Sequence, residues 1–312
     1  MRSRKERVQV LSLVILISIL LVYLSYIVYL NYRIKEIQTQ NLEIMDQMRV
    51  LYELEKHVEF NVDSNYGDSG GGEPNEDSYC FTETKHFKIY AHSNEICNNL
   101  ENTIEDTYSK IFEDLRYKVE PTKKIKIYIF KDEEEYRSKI RQPMWSVGRA
   151  IYNKNGFYSF EGVPLTGLIP HEITHLLLYN FMERKYEPEN MRWLSEGLAT
   201  YEESKVAKSS LIISLEQRIQ TLKKGTYIAM EDLIKADVLK TRNGGMINLW
   251  YAQSMSTVAY MINVLGRDTF NRFCLNMKKE DNVEKALLET YTGKFKNQAD
   301  FQAQWLKYIK SR

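Results

Sequence analysis

LTGLIPHEITHLLLYNF, residues 165–181, carries two histidines four positions apart inside an apolar run. In an α-helix, positions i and i+4 lie one turn apart on one face, so His171 and His175 can reach a single ion. Glu172 is rotated from that face yet adjacent to it, where its carboxylate can touch a water on the metal. Leu168, Ile169, Ile173, Leu176 and Leu177 would bury the helix and hold the ligand pair rigid. Pro170 stands inside the expected helix or at its start. The pattern His-Glu-x-x-His alone is a hypothesis that needs context; the bland alternative is a helix with two satisfied histidines and a surface glutamate.

The context comes 21 residues after His175, in Trp193-Leu194-Ser195-Glu196-Gly197-Leu198-Ala199-Thr200-Tyr201. This stretch reads as the start of a second helix, with Ser195 as its cap. Alone, Glu196 would be a first-turn glutamate interacting with the helix dipole. At this distance from His175 it reads as a third ligand. Two His and one Glu are the protein ligands of a catalytic zinc, with the fourth position left for water.

These residues resemble the gluzincin metallopeptidases, specifically the peptidase-MA-like group, with thermolysin and the zinc aminopeptidases as more distant relatives. The resemblance covers roughly His86 to the C-terminus, and His171–His175 with Trp193–Tyr201 carry it. It implies a zincin-like fold, one zinc held by His171, His175 and Glu196, and Glu172 as the general base for hydrolysis of a peptide bond. In the aminopeptidases a later helix opens with Tyr-x-Lys-Gly, whose hydroxyl faces the substrate carbonyl. Tyr251 begins a stretch similar in spacing, with Gln253 and Ser254 in place of Lys-Gly. Thermolysin-like enzymes use a later histidine for the oxyanion, but none follows His175 here, so Tyr251 is the expected donor. Tyr260 is expected in the core. The aspartate of thermolysin four residues after the third ligand is replaced by Thr200, and Glu203, seven residues after Glu196, is the candidate to orient a histidine; a surface position for Glu203 is the other reading. The aminopeptidase motif that binds a free N-terminus, Gly-x-Met-Glu-Asn, has no counterpart, Glu161 being the nearest substitute. An endopeptidase is therefore expected, with Gly156–Gly162 as the edge strand along which substrate pairs.

Upstream, residues 8–30 (VQVLSLVILISILLVYLSYIVYL) hold no charge. At ~1.5 Å per residue they form a helix of about 34 Å, enough for a ~30 Å hydrocarbon core. The absence of a small-residue cleavage site argues for an uncleaved anchor over a signal peptide. Arg2, Arg4, Lys5 and Arg7 precede it, against Arg33 and Lys35 after it, which places residues 1–7 in the cytoplasm and the bulk of the chain outside. Tyr26, Tyr29 and Tyr32 suit an interfacial belt. Residues 31–60 form a helical stalk in which Ile34, Ile37, Asn41, Ile44, Met48, Leu51, Glu55 and Val58 recur at a 3–4 spacing. That pattern suits a weak homodimeric coiled coil or a plain solvated stalk equally. Residues 61–78 contain four glycines and five acidic side chains with no basic one, the composition of a flexible linker.

Residues 79–312 are expected as the zinc metallopeptidase-like domain. Strands are expected at His86–Ala91 and Lys124–Phe130, the second alternating as a half-buried strand does. Helices are expected at Glu95–Arg116 and Asp132–Ile140, then extended segments ending in GFYSFEG, then helix almost throughout from Thr166. The fold class is α+β, a small sheet leading into a mainly helical lobe.

Of 312 residues, 43% are hydrophobic and 27% charged, and the net charge is +1. Residues 79–312 carry 35 basic and 30 acidic side chains, a balance without the dense basic stripes of a nucleic-acid binder. The three cysteines allow one disulfide, for which Cys80 and Cys97 are near enough in sequence, and Cys274 reads as a small buried hydrophobe. Two rivals to the enzyme remain at this stage. One is an inactive zinc-binding pseudo-peptidase serving as a tethered module; the other is a membrane scaffold in which the metal motif is coincidental. A cytoplasmic orientation of the same peptidase is a third variant.

Overall fold

The structure is a computed structural model that describes residues 78–140, 146–241, 243–280 and 282–311, with Tyr23, Tyr26 and Tyr29 upstream. Those three tyrosines are helical and exposed. The rest of the expected anchor 8–30, the stalk 31–60 and the linker up to residue 77 lie outside the described residues. Among the described residues no helix is long and apolar enough to cross a membrane.

Five strands come first, β1 (Cys80–Glu83), β2 (Phe87–Ala91), β3 (Ile125–Phe130), β4 (Arg149–Ile151) and β5 (Gly156–Phe160), interrupted by helices α1 (Asn94–Leu115) and α2 (Glu133–Lys139). Eight helices follow: α3 (Leu165–Phe181), α4 (Arg192–Val206), α5 (Ser210–Lys223), α6 (Met230–Lys235), α7 (Gly244–Asn263), α8 (Arg267–Glu280), α9 (Val283–Thr290) and α10 (Gln298–Ser311). The class is mixed α+β, mostly helical with a small sheet, consistent with a zincin-like fold. The described residues from Ser78 onward belong to one compact unit.

The sheet runs in the order β1-β2-β3-β5-β4. The three inner strands are parallel, and β1 and β4 are antiparallel to their neighbours. Period-2 alternation sends Phe87, Ile89, Ala91, Ile125, Ile127 and Ile129 to one face, where they form one core with α1 and α3. In α1 the residues Cys97, Leu100, Ile104, Tyr108, Ile111 and Leu115 recur every three or four positions and are all buried. The helix stops at Arg116, which turns left-handed at φ 55°.

The other face corrects the reading of KIKIYIF as half-buried. Tyr90, Tyr128 and Tyr158 are in register across β2, β3 and β5 and stack at 4.7 and 5.1 Å between centroids. With Phe130, Tyr136, Ile140 and Phe160 they make a second core, in which Tyr128 is fully buried. Alternation of Ile with Lys and Tyr was no guide here, because an aromatic tyrosine body packs as readily as isoleucine once a second layer covers it. The layer includes α2, capped by Asp132, whose side chain accepts from the Glu135 N–H at 2.9 Å.

Strand order also corrects the expected edge. Gly156–Phe160 is interior, paired on both sides, and the edge strand is β4. A Cβ at Gly156 would lie 2.6 Å from the Lys126 carbonyl oxygen, so β5 approaches β3 more closely there than a side chain permits. At the opposite edge, Cys80 of β1 and Cys97 of α1 form a disulfide, while Cys274 is free and buried.

In the helical part, α4 lies between α3 and α7. A Cβ at Gly197 would sit 2.6 Å from the Ser254 carbonyl oxygen and 2.9 Å from Val258, so the glycine of Trp-Leu-Ser-Glu-Gly is what lets α7 come this close. On its far side α4 is tied to α1 and α8 by charge. Arg267 Nη2 pairs with Glu202 at 2.5 Å and with Asp114, Lys205 reaches Asp114 at 2.5 Å, and Arg267 also lies over the Tyr201 ring. Burial pushes the Glu202 pKa up to about 7 in spite of Arg267 and Lys205, while Asp114, burial notwithstanding, is held below its usual range by Lys205 and Arg267.

The sign of the consequence follows from linkage. Glu202 has a higher pKa folded (about 7) than its ordinary 4.5, so its contribution is complete below 4.5 and is lost as pH rises through 7. The loss amounts to up to about 3 kcal/mol at 1.36 kcal/mol per unit. The urea midpoint should therefore fall between pH 5 and pH 8, and Glu202→Gln should flatten that slope; an unchanged slope in the variant would assign it to other groups.

Candidate metal centre

Helix α3 begins at Leu165 without a side-chain cap and takes Pro170 within it. The proline has no N–H for the Thr166 carbonyl, and Thr174 Oγ1 donates to the Pro170 carbonyl at 2.7 Å one turn on. The helix is buried almost all round: Ile169, Ile173, Leu176 and Leu177 lie in the core and Leu168 is half-buried. His171 and His175 thus sit on a rigid support, their rings 4.8 Å apart between centroids.

Helix α4 brings Glu196 against both. Its Oε2 lies 3.2 Å from His171 Nε2 and 3.6 Å from His175 Nε2, and one ligand atom from each residue falls within 4.8 Å of the others. Ligand atoms at 2.0–2.1 Å around a tetrahedral zinc stand about 3.3 Å apart; the two Glu196 contacts are close to that spacing, and the donor set has the chemistry such an ion takes. His171 and Glu196 keep 12% and 15% of their side chains exposed, so solvent reaches the site. Burial raises the cost of the Glu196 charge, but His175 and His171 outweigh it and hold the carboxyl well below its usual range. Burial would lower His171, yet hydrogen bonds to Glu196 and Glu203 raise it well above the usual imidazole value.

Glu172 is 5% exposed and stands beside the cluster. Burial raises its pKa, opposed by His175, by His171 and by a hydrogen bond from the Ala150 backbone N–H. A carboxyl raised in this way takes up a proton more readily than a free one. The Ala150 contact also shows that the outer edge of β4 runs past Glu172. A Cβ at Gly148 would come 2.6 Å from the Leu168 side-chain tip and 3.0 Å from Glu172 Oε1, so a side chain there would have to push both aside.

The two imidazoles are backed differently. His171 Nδ1 meets Glu203 Oε2 at 3.1 Å, and Glu203 is only 3% exposed, its other oxygen accepting from Ser209 Oγ. Thr200 donates instead to the Glu196 carbonyl at 2.6 Å, one turn back along its own helix. His175 Nδ1 meets Ser195 Oγ at 2.7 Å. Ser195 is therefore not the helix cap: α4 starts three residues earlier, at Arg192, and Ser195 is fully buried between α4 and α3.

Tyr251 lies in α7, 9% exposed, and its hydroxyl hydrogen-bonds the Glu196 carboxylate. Burial and Glu196 together raise its pKa well above the phenol value, keeping it a donor. Gln253 is fully buried and bonds both the N–H (2.8 Å) and the carbonyl (2.7 Å) of Ile228, fixing the segment before α6 to α7. Tyr260 is in the core. Glu161 stands near Tyr79 among Glu135 and Asp132.

Three groups near the centre escaped the sequence. Tyr179, one turn after His175 on α3, is buried and donates to Glu187 Oε1 at 3.2 Å. Arg192, one turn before Glu196 on α4, binds Glu187 at 3.0 Å and Asp237 at 3.3 Å. Ala150 has no side-chain signal at all. Their i±4 offsets from the ligands were the available clue to Tyr179 and Arg192, since both share a helix face with a ligand.

Two histidines from α3 and a glutamate from α4, beside the buried Glu172 carboxylate, form a cluster that could hold a metal ion. A family model described as the Peptidase MA superfamily matches residues 104–311, about two thirds of the chain, and the chain belongs to that superfamily. No curated protein matches it.

Proposed function

We propose that the chain is a zinc endopeptidase anchored in a membrane by residues 8–30, with residues 1–7 cytoplasmic and the catalytic part outside. The observation that carries the reading is the convergence of His171, His175 and Glu196 on one point with the Glu172 carboxylate buried beside it. His171 Nε2, His175 Nε2 and Glu196 Oε2 would hold the ion. Zinc, when bound, supplies a Lewis acid and an acidified water.

The remaining chemistry belongs to the chain. Glu172 takes the proton of the attacking water and gives it to the leaving amine. The Tyr251 hydroxyl, already at the carboxylate of the third ligand, donates to the oxyanion. Substrate backbone adds to the outer edge of β4, which has no strand neighbour on that side among the described residues. The compartment is supported by the basic side chains before residue 8 and by the Cys80–Cys97 disulfide, since such bonds persist where conditions are oxidising. Endopeptidase over aminopeptidase action rests on the missing N-terminus motif.

The test is cleavage of a mixed-sequence peptide library by the full-length protein. Cleavage should stop with a chelator and return on adding one equivalent of zinc. If the zinc-loaded protein leaves every peptide intact, the domain is a zinc-binding pseudo-peptidase that serves as a tethered interaction module.

A further inference from the structure

A zinc-ligating histidine turns one ring nitrogen to the metal, so the other must carry a proton and find an acceptor. For His171 the acceptor is the Glu203 carboxylate. For His175 it is the neutral hydroxyl of Ser195, at 2.7 Å. A hydroxyl that accepts from an imidazole has its own hydrogen to place. Ser195 is fully buried and hydrogen-bonds Tyr179; with His175 donating to it and Tyr179 donating onward to Glu187, the hydrogen left for that bond is the one on Ser195. Tyr179, 1% exposed, donates in turn to Glu187 Oε1 at 3.2 Å. Glu187 Oε2 accepts from Arg192 Nε at 3.0 Å, and Arg192 Nη1 reaches Asp237 at 3.3 Å.

Every donor in this series points the same way, from His175 through Ser195 and Tyr179 to a carboxylate. We infer that Tyr179 and Glu187 are positioning residues of the metal centre, a hydrogen-bond relay that gives His175 at one remove the carboxylate support His171 receives directly. Aligned hydrogen bonds polarise one another in a low-dielectric interior, so the charge on Glu187 reaches His175 through the two hydroxyls. Arg192 fixes Glu187 from the other side, and because Arg192 opens the helix that carries Glu196, the relay also ties the third ligand to the second. Tyr152 packs on the Tyr179 ring at 4.0 Å between centroids and has no place in the series.

This inference rests on the metal reading above, and its test separates the two. Zinc release from the full-length protein would be followed with a chromogenic chelator, and the visible spectrum recorded after cobalt substitution. Tyr179→Phe keeps the ring and removes only the link. It should release zinc roughly ten to a hundred times faster and shift the cobalt bands. Glu187→Gln, at a half-buried position, should do the same and guards against a folding failure of the first variant. Combined, the two should release zinc no faster than the worse single variant, as links of one chain do. Tyr152→Phe should leave release unchanged.

Release at the parental rate in Tyr179→Phe and Glu187→Gln would overturn the relay, as would full additivity in the double variant. A parental protein that holds no zinc would overturn the metal reading itself.

Discussion

Glu172→Gln should reduce peptide cleavage by roughly 10²–10⁴-fold while the protein still carries one zinc per chain. The substitution is nearly isosteric and leaves the Ala150 N–H an oxygen to bond, so β4 and α3 keep their contact. What disappears is the ability to accept and return a proton. Glu172 is not among the three groups that converge on the metal position, and its removal gives the ion no reason to leave. Retained zinc with lost activity therefore isolates the base from the ligands. The same comparison separates an enzyme from a pseudo-peptidase, because only an enzyme has an activity for the variant to lose. Unaltered cleavage in the variant would show that the proton goes elsewhere and would sink the mechanism.

His175→Ala should abolish tight zinc binding and, with it, the response of thermal stability to zinc. A ligand bound only by the native state stabilises by RT ln(1 + [L]/Kd), about 4.1 kcal/mol at a thousandfold excess over Kd. The parental melting temperature should therefore rise on adding zinc and fall with chelator, whereas the variant should stay at the lower value in both. The variant also frees Ser195, buried with its relay partners, so some loss of stability without zinc is expected from the unmade hydrogen bond, about 1–3 kcal/mol. Zinc titration distinguishes the two contributions: only the metal term depends on concentration. A variant whose melting temperature still climbs with zinc would place the ion elsewhere.

The sequence and the structure agree best where one helix suffices. His171, Glu172 and His175 could be placed because a 3.6-residue period fixes their relation without knowledge of any neighbour, and α1 was legible for the same reason. What depends on two elements meeting was harder. Ser195 read as a cap because a serine before a glutamate suits one; its true partner, His175, is twenty positions away and appears only when α3 and α4 are side by side. Gly156–Gly162, expected at the edge, is interior over Gly156–Phe160, because edge and interior strands differ in what lies beside them, not in their residues. Strand β1, four residues with alternate ones exposed, offered too little apolar pattern to register as a strand. Glu203 shows the intermediate case. Its i+7 offset from Glu196 puts it on the right face, but only the packing of α4 against α3 decides between a buried contact with His171 and the surface.

The disulfide between Cys80 and Cys97 has a mechanical consequence. β1 is an edge strand held by a single neighbour, and a pull along the upstream chain would ordinarily peel such a strand one hydrogen-bonded pair at a time. Here tension arriving from residue 78 meets a covalent link two residues on. It passes into the first turn of α1, whose buried face is locked onto the sheet. The hairpin is thereby removed from the force path, and unfolding under load would have to dislodge α1 before β1 or β2 could slip.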